Sequence, residues 1–208
     1  NFTGGNWPGA AMTAVEGKPG WYSYTFEVET TEGLMVIFNN NNNGAQTADL
    51  TYAGLNYWAF ETAYETEKDA VKANAPAADS VLTVTEVVYL GNILGETEAK
   101  YYVTGTIKNV YNTQYGNMYI TDAEGNEVCI YGTYTADGAT RYDKMTVKPV
   151  AGDTITVYGV LAAFSGKGQI KNGWITATTV GHEHDYKNVV TTKPTCTTTG
   201  LATPTCAC

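Results

Sequence analysis

Short strand-like segments separated by turn residues recur along most of this chain and limit what it can fold into. The clearest spans residues 21–28, where Tyr22, Tyr24, Phe26 and Val28 fall on one face and the intervening residues on the other. Alternation with period two is typical of a half-buried β-strand. The chain also has 16 Tyr and 22 Gly against 5 Phe. Tyrosine favours strands and glycine favours turns, so the composition predicts an all-β protein.

Shifts in composition divide the chain into four parts. We predict a first β-rich block at 1–61, an Ala/Glu-rich linker at 62–79, a second β-rich block at 80–180, and a Thr-rich tail at 181–208. The first block offers only about four strands, whereas a β-sandwich usually needs about seven. We therefore expect it to form a partial β-sandwich, with strands missing upstream.

The second block contains five strand-like segments and one longer connection between the third and the fourth. This pattern predicts a small closed Greek-key barrel, the plan of an OB-fold. Before them, residues 81–90 mix β-branched residues with a short helical turn. The predicted strands are Tyr101–Val110, Asn117–Thr121, Val128–Tyr131, Thr154–Val160 and Gln169–Thr176.

The charge balance argues against two classes of partner. The net charge is -9, and Arg141 is the single arginine. Nucleic-acid binders neutralise phosphates with clustered Lys and Arg, so we predict no nucleic-acid partner and no anionic membrane partner. No apolar run approaches the ~20 residues that span a bilayer. The chain opens at Asn1 without a charged-then-apolar leader and stops within a motif at Cys208, so we expect it to be a piece of a longer protein.

Four motifs in the first block occur in a recognisable order. They are Trp7-Pro8-Gly9-Ala10-Ala11-Met12, Gly20-Trp21-Tyr22-Ser23-Tyr24, Val36-Ile37-Phe38-Asn39-Asn40, and the loop that ends in Gln46-Thr47-Ala48-Asp49-Leu50. This order, over roughly residues 3–60, closely resembles the family-26 starch-binding modules of bacterial amylases and amylopectin-binding surface proteins. The resemblance implies a non-catalytic carbohydrate-binding module whose ligand is starch or another α-glucan.

The residues of these motifs suit such a ligand. An indole face can stack on the apolar C–H face of a glucose ring, and amide side chains supply donors and acceptors without charge. We expect Trp7 to be the stacking platform, as the resemblance implies, with Gln46 and Asn40 as hydroxyl partners. Trp7 could instead cover a core, and Gln46 could anchor its loop. The Asn run 39–43 could be a solvated loop, and we expect Trp21 to be structural.

The chain departs from the family pattern at its start. The family module begins with strands that carry a Tyr-x-Tyr or Tyr-x-Trp pair, and those aromatics form much of the platform. Only six residues precede Trp7, and none forms such a pair. We therefore expect the binding site of this chain to be incomplete.

The second block resembles the OB-fold modules appended to secreted gut-bacterial hydrolases and surface proteins, and similar modules occur in extracellular nucleases. Aromatic side chains of the kind that stack on single strands are present. However, acidic residues outnumber Lys and Arg over residues 80–180. A nucleic-acid reader, a sugar-binding or accessory role, and a structural spacer remain alternatives, because fold analogy alone does not decide function.

The tail contains both histidines and three of the four cysteines. It resembles a short repeat of Firmicute surface proteins. Three alternatives stay open for these side chains: zinc binding, a disulfide from Cys196 to Cys206 or Cys208, and no bond at all. A disulfide would fit an extracellular location. We predict no metal site and no cofactor. The residues concerned are His182, His184, Cys196, Cys206 and Cys208.

No arrangement in the sequence predicts catalysis. Glycoside hydrolysis needs two carboxylates facing across a cleft, and the acids here lie in turns and on strand edges. There is also no nucleophile-elbow serine, phosphate loop or H-E-x-x-H motif. We predict a non-catalytic, α-glucan-binding fragment of a secreted or cell-wall-associated starch-degradation protein, whose catalytic domain would lie elsewhere. The alternatives are an accessory module of an extracellular nuclease and a structural cell-surface protein.

Overall fold

The structure is a computed structural model that describes residues 6–41 and 44–179, and the backbone alone of 186–192 and 201–206. Strands make up most of its regular structure. In chain order they are β1 (Thr13–Ala14), β2 (Tyr22–Ser23), β3 (Met35–Val36), β4 (Leu50–Thr51), β5 (Tyr57–Ala59), β6 (Thr62–Tyr64), β7 (Val81–Leu82), β8 (Lys100–Asn112), β9 (Asn117–Thr121), β10 (Glu127–Tyr134), β11 (Thr154–Phe164), β12 (Lys167–Thr179), β13 (Tyr186–Thr192) and β14 (Leu201–Cys206). The helices are α1 (Glu67–Ala73) and α2 (Val84–Leu94), and Tyr142–Lys144 forms a 3-10 turn.

The second block forms a closed five-stranded barrel. Its strands pair in the order β8–β9–β10–β12–β11, and β11 pairs back onto β8 to close it. The β10–β12 pair is parallel and the other four pairs are antiparallel. The predictions of an all-β fold and of a closed barrel are therefore confirmed. The closer resemblance to OB-fold modules stays a prediction.

Alternation of side chains along each strand fills the barrel. On β8, Val103 and Ile107 are buried, whereas Thr104 and Thr106 face outward. Removing apolar side chains from water at roughly 25 cal/mol per Å² is what stabilises such an interior. Outside, the Thr104 hydroxyl pairs with that of Thr156 on β11 at 2.9 Å. The fully buried core side chains include Met118, Ile120, Val128, Ile130, Ile155, Val157, Leu161 and Ile170.

The last hairpin is longer than the sequence predicted. Pairing between β11 and β12 continues to Phe164 and Lys167. Ser165 and Gly166 both have positive φ, at 49° and 74°. Two consecutive residues with positive φ are typical of a two-residue type I′ turn, whose twist matches that of the flanking strands. The strands therefore stay paired up to the turn.

Helix α2 is longer than the short helical turn expected before the barrel. It begins at a capping box in which the Thr83 hydroxyl accepts from the Glu86 backbone and the Glu86 carboxylate accepts from the Thr83 backbone. This reciprocal pair satisfies two otherwise unpaired donors of the first turn. The helix then packs against β11 and β12, and Val84 and Val87 are buried there.

The stretch predicted as a linker contains regular structure. β6 pairs with β5, and α1 begins after Thr66, whose hydroxyl accepts from the Asp69 backbone. Ala70 and Val71 of α1 are buried, and α1 contacts α2. The division of the chain into domains remains a prediction, but this segment is packed against both of its neighbours.

In the first block, the described strands pair two by two. The antiparallel pairs are β1–β2, β3–β4 and β5–β6. Trp21 packs against the main hydrophobic core and meets Tyr57 edge-to-face, with ring centroids 6.4 Å apart. The sequence prediction that Trp21 is structural agrees with this packing.

Only part of the predictions for the tail and for a membrane partner can be compared with the described structure. The backbones of β13 and β14 form an antiparallel pair. The predictions for the His182 and His184 side chains and for the tail cysteines lie outside the described residues. Neither α1 nor α2, the helices of the described ranges, has the length and hydropathy of a transmembrane span.

Candidate functional site

Trp7 lies in a tight turn near the start of the described chain. The turn closes through a hydrogen bond from the Gly9 backbone N–H to the Asn6 carbonyl at 2.8 Å. Gly9 has φ 94°, a region that favours glycine because it lacks a Cβ. Trp7 is 57% exposed, so much of its surface is accessible to a ligand.

A side-chain amide joins this turn to the asparagine-rich loop. Asn39 Nδ2 donates to the Pro8 carbonyl at 2.9 Å. Its Oδ1 accepts from the Asn41 backbone N–H at 2.9 Å. Both ends of the Asn39 amide are therefore used to hold backbone, which fixes the loop relative to the residue that follows Trp7.

The base of the loop is closed by backbone pairing. Asn39 and Gln46 form an antiparallel bridge, and the Asn40 N–H donates to the Ala45 carbonyl at 3.1 Å. One residue further on, the buried Thr47 accepts from the Phe38 N–H through its hydroxyl at 3.0 Å. Because successive side chains of an extended segment point to opposite sides, burying Thr47 turns Gln46 outward.

Trp7 and Gln46 line a single pocket of about 180 Å³. Asn39, Gly44 and Ala45 complete its lining. The structure thus brings together two of the three predicted site residues. Asn40 is exposed in the same loop but does not line this pocket.

Asn39 is the lining residue that the sequence analysis missed. It was grouped with the Asn run, whose amides cannot be ranked from sequence alone. The available signal was its position directly after the apolar segment 34–38. Backbone pairing with Gln46 holds Asn39 at the base of the loop, so its side chain has a defined direction.

The pocket is uncharged. Its lining consists of an indole, two side-chain amides, and small residues, without any ionisable side chain. Amides both donate and accept hydrogen bonds, and burying a charge beside an uncharged ligand would be costly. These groups suit a neutral polyhydroxylated ligand, and they offer no acid or base for chemistry.

The far end of the loop is supported by the β5–β6 hairpin. Glu61 accepts from the Ala48 backbone N–H at 2.9 Å. Behind the loop, the rings of Phe38 and Trp58 pack with centroids 5.7 Å apart. The pocket residues are thus held by an aromatic contact and by hydrogen bonds on both sides of the loop.

Comparison with known proteins gives two matches. The profile of the family described as Starch-binding module 26 matches residues 1–52. An alpha-amylase of Butyrivibrio fibrisolvens is 35% identical over 130 residues, which cover 60% of this chain and 12% of that protein. The chain therefore corresponds to a small part of this relative. No solved structure matches the chain.

Residues 1–52 are thus similar to a non-catalytic binding module. The turn with Trp7 and the loop with Gln46 both fall inside the matched stretch. Among the described residues, no group of three or more His, Cys, Asp or Glu side chains could hold a metal ion.

Proposed function

We propose that this chain binds α-glucan chains of starch, without catalysis, through the pocket formed by Trp7 and Gln46. The observation that carries the proposal is the placement of an exposed indole and an outward amide around one uncharged pocket. Both residues lie within the stretch matched to Starch-binding module 26. The resemblance of the four motifs to family-26 modules supports the same ligand.

The Trp7 ring supplies the main apolar contact. The C–H face of a glucose ring lies flat on the indole, and the area that both remove from water favours binding at roughly 25 cal/mol per Å². Gln46 at the pocket and Asn40 on the rim of the same loop hydrogen-bond to the hydroxyls at the ring edge. Since amides carry no charge, they meet a neutral polyol without the cost of desolvating an ion.

Binding of this kind serves a catalytic domain by proximity. A module that holds polymer raises the local concentration of substrate, even when each single contact is weak. We propose that the chain is part of an extracellular, secreted or surface-attached starch-degrading protein such as an amylase. The match to part of an alpha-amylase supports this setting.

Affinity electrophoresis tests the proposal directly. The intact 208-residue chain should migrate more slowly in a native gel that contains amylopectin than in one without it, and Trp7→Ala should abolish most of that retardation. Tyr22→Ala is the matched control, because Tyr22 is 59% exposed in the same block and does not line the pocket. Unchanged retardation of Trp7→Ala would show that the pocket is not the binding site.

The two amides should contribute less than the indole. Gln46→Ala and Asn40→Ala each remove one hydrogen-bonding group, worth about 0.5–1.5 kcal/mol. We expect Gln46→Ala to weaken retardation more than Asn40→Ala, because only Gln46 lines the pocket. The reverse order would move the site from the pocket to the tip of the loop.

A further inference from the structure

Three tyrosines lie on three adjacent strands at the outer surface of the barrel. Tyr111 on β8, Tyr119 on β9 and Tyr131 on β10 together form what we term the tyrosine face. The rings of Tyr111 and Tyr119 have centroids 5.3 Å apart at an interplanar angle of 35°. Tyr111 and Tyr131 are 48% and 50% exposed, so much of this aromatic surface is open to solvent.

The barrel does not need these rings for its own core. Met118 and Ile120, on either side of Tyr119, are fully buried, and so is Ile130 next to Tyr131. Successive residues of a strand face opposite sides of the sheet. The tyrosines therefore occupy the outward positions and are not part of that core.

The Tyr111 ring is nevertheless held in place. The Tyr111 hydroxyl contacts Cys129 Sγ at 3.4 Å. The pKa of Tyr111 is raised, first by burial of its hydroxyl, then by the contact with Cys129, with smaller contributions from Tyr119 and Tyr131. A preformed aromatic surface loses less side-chain entropy on binding than a mobile one.

We propose that the tyrosine face is a second binding site for an uncharged α-glucan chain, separate from the Trp7 pocket. The proposal rests on the proposed function, because it takes the same ligand class for the same chain. Tyrosine rings offer apolar faces for the C–H faces of successive glucose units. The hydroxyls of Tyr119 and Tyr131, with the exposed amide of Asn109 opposite Tyr119, can bond to the sugar hydroxyls.

Charge selects a neutral polymer over a nucleic acid for this face. Lys108 is paired with Glu127 at 2.7 Å. Lys171, opposite Tyr131 on β12, is paired with Glu96 at 2.8 Å. Both cations beside the face are thus compensated, and the chain carries a net charge of -9. A polyanion would be repelled, since single-strand binders combine aromatic rings with a positively charged groove.

The extent of the alpha-amylase match supports a role of the barrel in α-glucan binding. A continuous stretch that covers 60% of the chain must cross its middle, so the similarity extends beyond residues 1–52 and includes β8 and β9. Two sites on one chain would also strengthen retention on a polymer, because the second contact forms at high effective concentration once the first has formed.

Combined variants separate this site from the Trp7 pocket. In the amylopectin gel, the Tyr111→Ala, Tyr131→Ala double variant should bind on the order of tenfold more weakly than the unaltered chain, equivalent to about 1.4 kcal/mol. Adding both substitutions to Trp7→Ala should remove the retardation that remains. Phe164→Ala is the matched control, because Phe164 is a 72% exposed aromatic of the same barrel.

The outcomes of the gel distinguish the two proposals. If the triple variant is retarded as much as Trp7→Ala alone, the second site is refuted and the pocket stands. If Trp7→Ala has no effect and the tyrosine variants lose retardation, the tyrosine face stands and the pocket is refuted. If none of the variants differs from the unaltered chain, both are refuted.

A second measurement does not depend on truncated side chains. Ring signals of the tyrosines in the intact chain, assigned through the Tyr111→Phe and Tyr131→Phe variants, should shift when maltoheptaose is added and should follow one saturation curve. Unshifted ring signals for Tyr111 and Tyr131 would overturn the proposal. Shifts caused by a single-stranded oligothymidylate and not by maltoheptaose would overturn the choice of occupant.

Discussion

The Asn39 side-chain amide donates a hydrogen bond of 2.9 Å to the Pro8 backbone carbonyl, across 31 residues of sequence. This bond joins the turn that presents Trp7 to the loop that presents Gln46. Both walls of the candidate pocket therefore depend on an amide that need not itself contact a ligand. The geometry of such a binding surface depends on supporting residues such as Asn39 as well as on the residues that contact the ligand.

Removal of the Asn39 amide should weaken binding although Trp7 and Gln46 stay in place. We expect Asn39→Ala to reduce retardation in the amylopectin gel by about threefold to tenfold, because it removes the bond to Pro8, worth about 0.5–1.5 kcal/mol, together with the bond from the Asn41 N–H. Asn126→Ala is the control, because the Asn126 side-chain amide also donates a hydrogen bond, to Asp122 at 2.9 Å, but in a barrel turn. Equal retardation of the two variants would show that this bond does not position the pocket.

Glu67 should be a stabilising link between the first block and α2. Its carboxylate accepts from the Tyr89 hydroxyl at 2.8 Å and forms an ion pair with Lys18. Tyr89 is 7% exposed, so Glu67→Ala leaves a buried hydroxyl without this partner. We expect a loss of about 1–3 kcal/mol of unfolding free energy for Glu67→Ala, measured by urea denaturation.

Two further variants separate the ion pair from the hydroxyl bond. Glu67→Gln keeps an acceptor for Tyr89 and loses only the charge that pairs with Lys18, so it should cost less than Glu67→Ala. Lys68→Ala is the control, since Lys68 is the exposed neighbour on α1. A Glu67→Ala variant as stable as Lys68→Ala would contradict a linking role.

The sequence predicted the barrel well because its strands obey simple rules. The segment Asn117–Thr121 was predicted with its observed ends, since alternation is visible over its whole length and turns bound it on both sides. The start of β11 at Thr154 was also predicted, but the ends of β11 and β12 at the hairpin turn were missed, because Phe164 and Lys167 are paired only through the geometry of that turn. Local pattern identifies strands, but turn geometry decides where they stop.

Contacts between distant segments could not be predicted. Nothing in the composition of residues 62–79 shows that Glu67 meets Lys18 and Tyr89. For the same reason, the sequence suggested Asn40 where the structure places Asn39 at the pocket. Trp7 and Gln46 were identified because they belong to ordered motifs that resemble a family, whereas Asn39 acts through a tertiary hydrogen bond.

Gly91 should tolerate no side chain despite its position inside a helix. A Cβ added there would lie 2.7 Å from the Ala162 carbonyl oxygen and 2.9 Å from Gly168 Cα. Alanine favours a helix over glycine by about 1 kcal/mol, but overpacking typically costs about 1–3 kcal/mol. We expect Gly91→Ala to lower the midpoint of thermal unfolding, because the backbones of α2 and the β11–β12 hairpin would have to separate.

The neighbouring residue gives the control for this prediction. Asn92 is exposed on α2, so Asn92→Ala should gain a few tenths of a kcal/mol from helix propensity alone. The two substitutions therefore shift the midpoint in opposite directions. A Gly91→Ala variant more stable than the unaltered chain would mean that α2 does not approach the hairpin this closely.

Asp143 should make the barrel sensitive to acid in a defined pH range. Arg141 holds its carboxylate through two hydrogen bonds, of 2.7 Å from Nε and 3.0 Å from a terminal nitrogen. Hydrogen bonding to Arg141 lowers the pKa of Asp143 to about 2. An unfolded aspartate has a pKa of about 3.9, so the folded chain holds the ionised form more strongly.

The sign of the pH dependence follows from this difference. A folded-state pKa below the unfolded value gives a contribution that is complete above pH ~4 and is lost as the pH falls toward ~2. The stability difference between the unaltered chain and Asp143→Asn should therefore be constant at neutral pH and shrink through this acid range. Urea denaturation at a series of pH values measures it, with Glu124→Gln as a control at an exposed acid in another turn. If the difference for Asp143→Asn is the same at both ends of the range, the pair with Arg141 does not contribute to folding, and its short distances reflect two charged surface groups that are as well solvated apart as together.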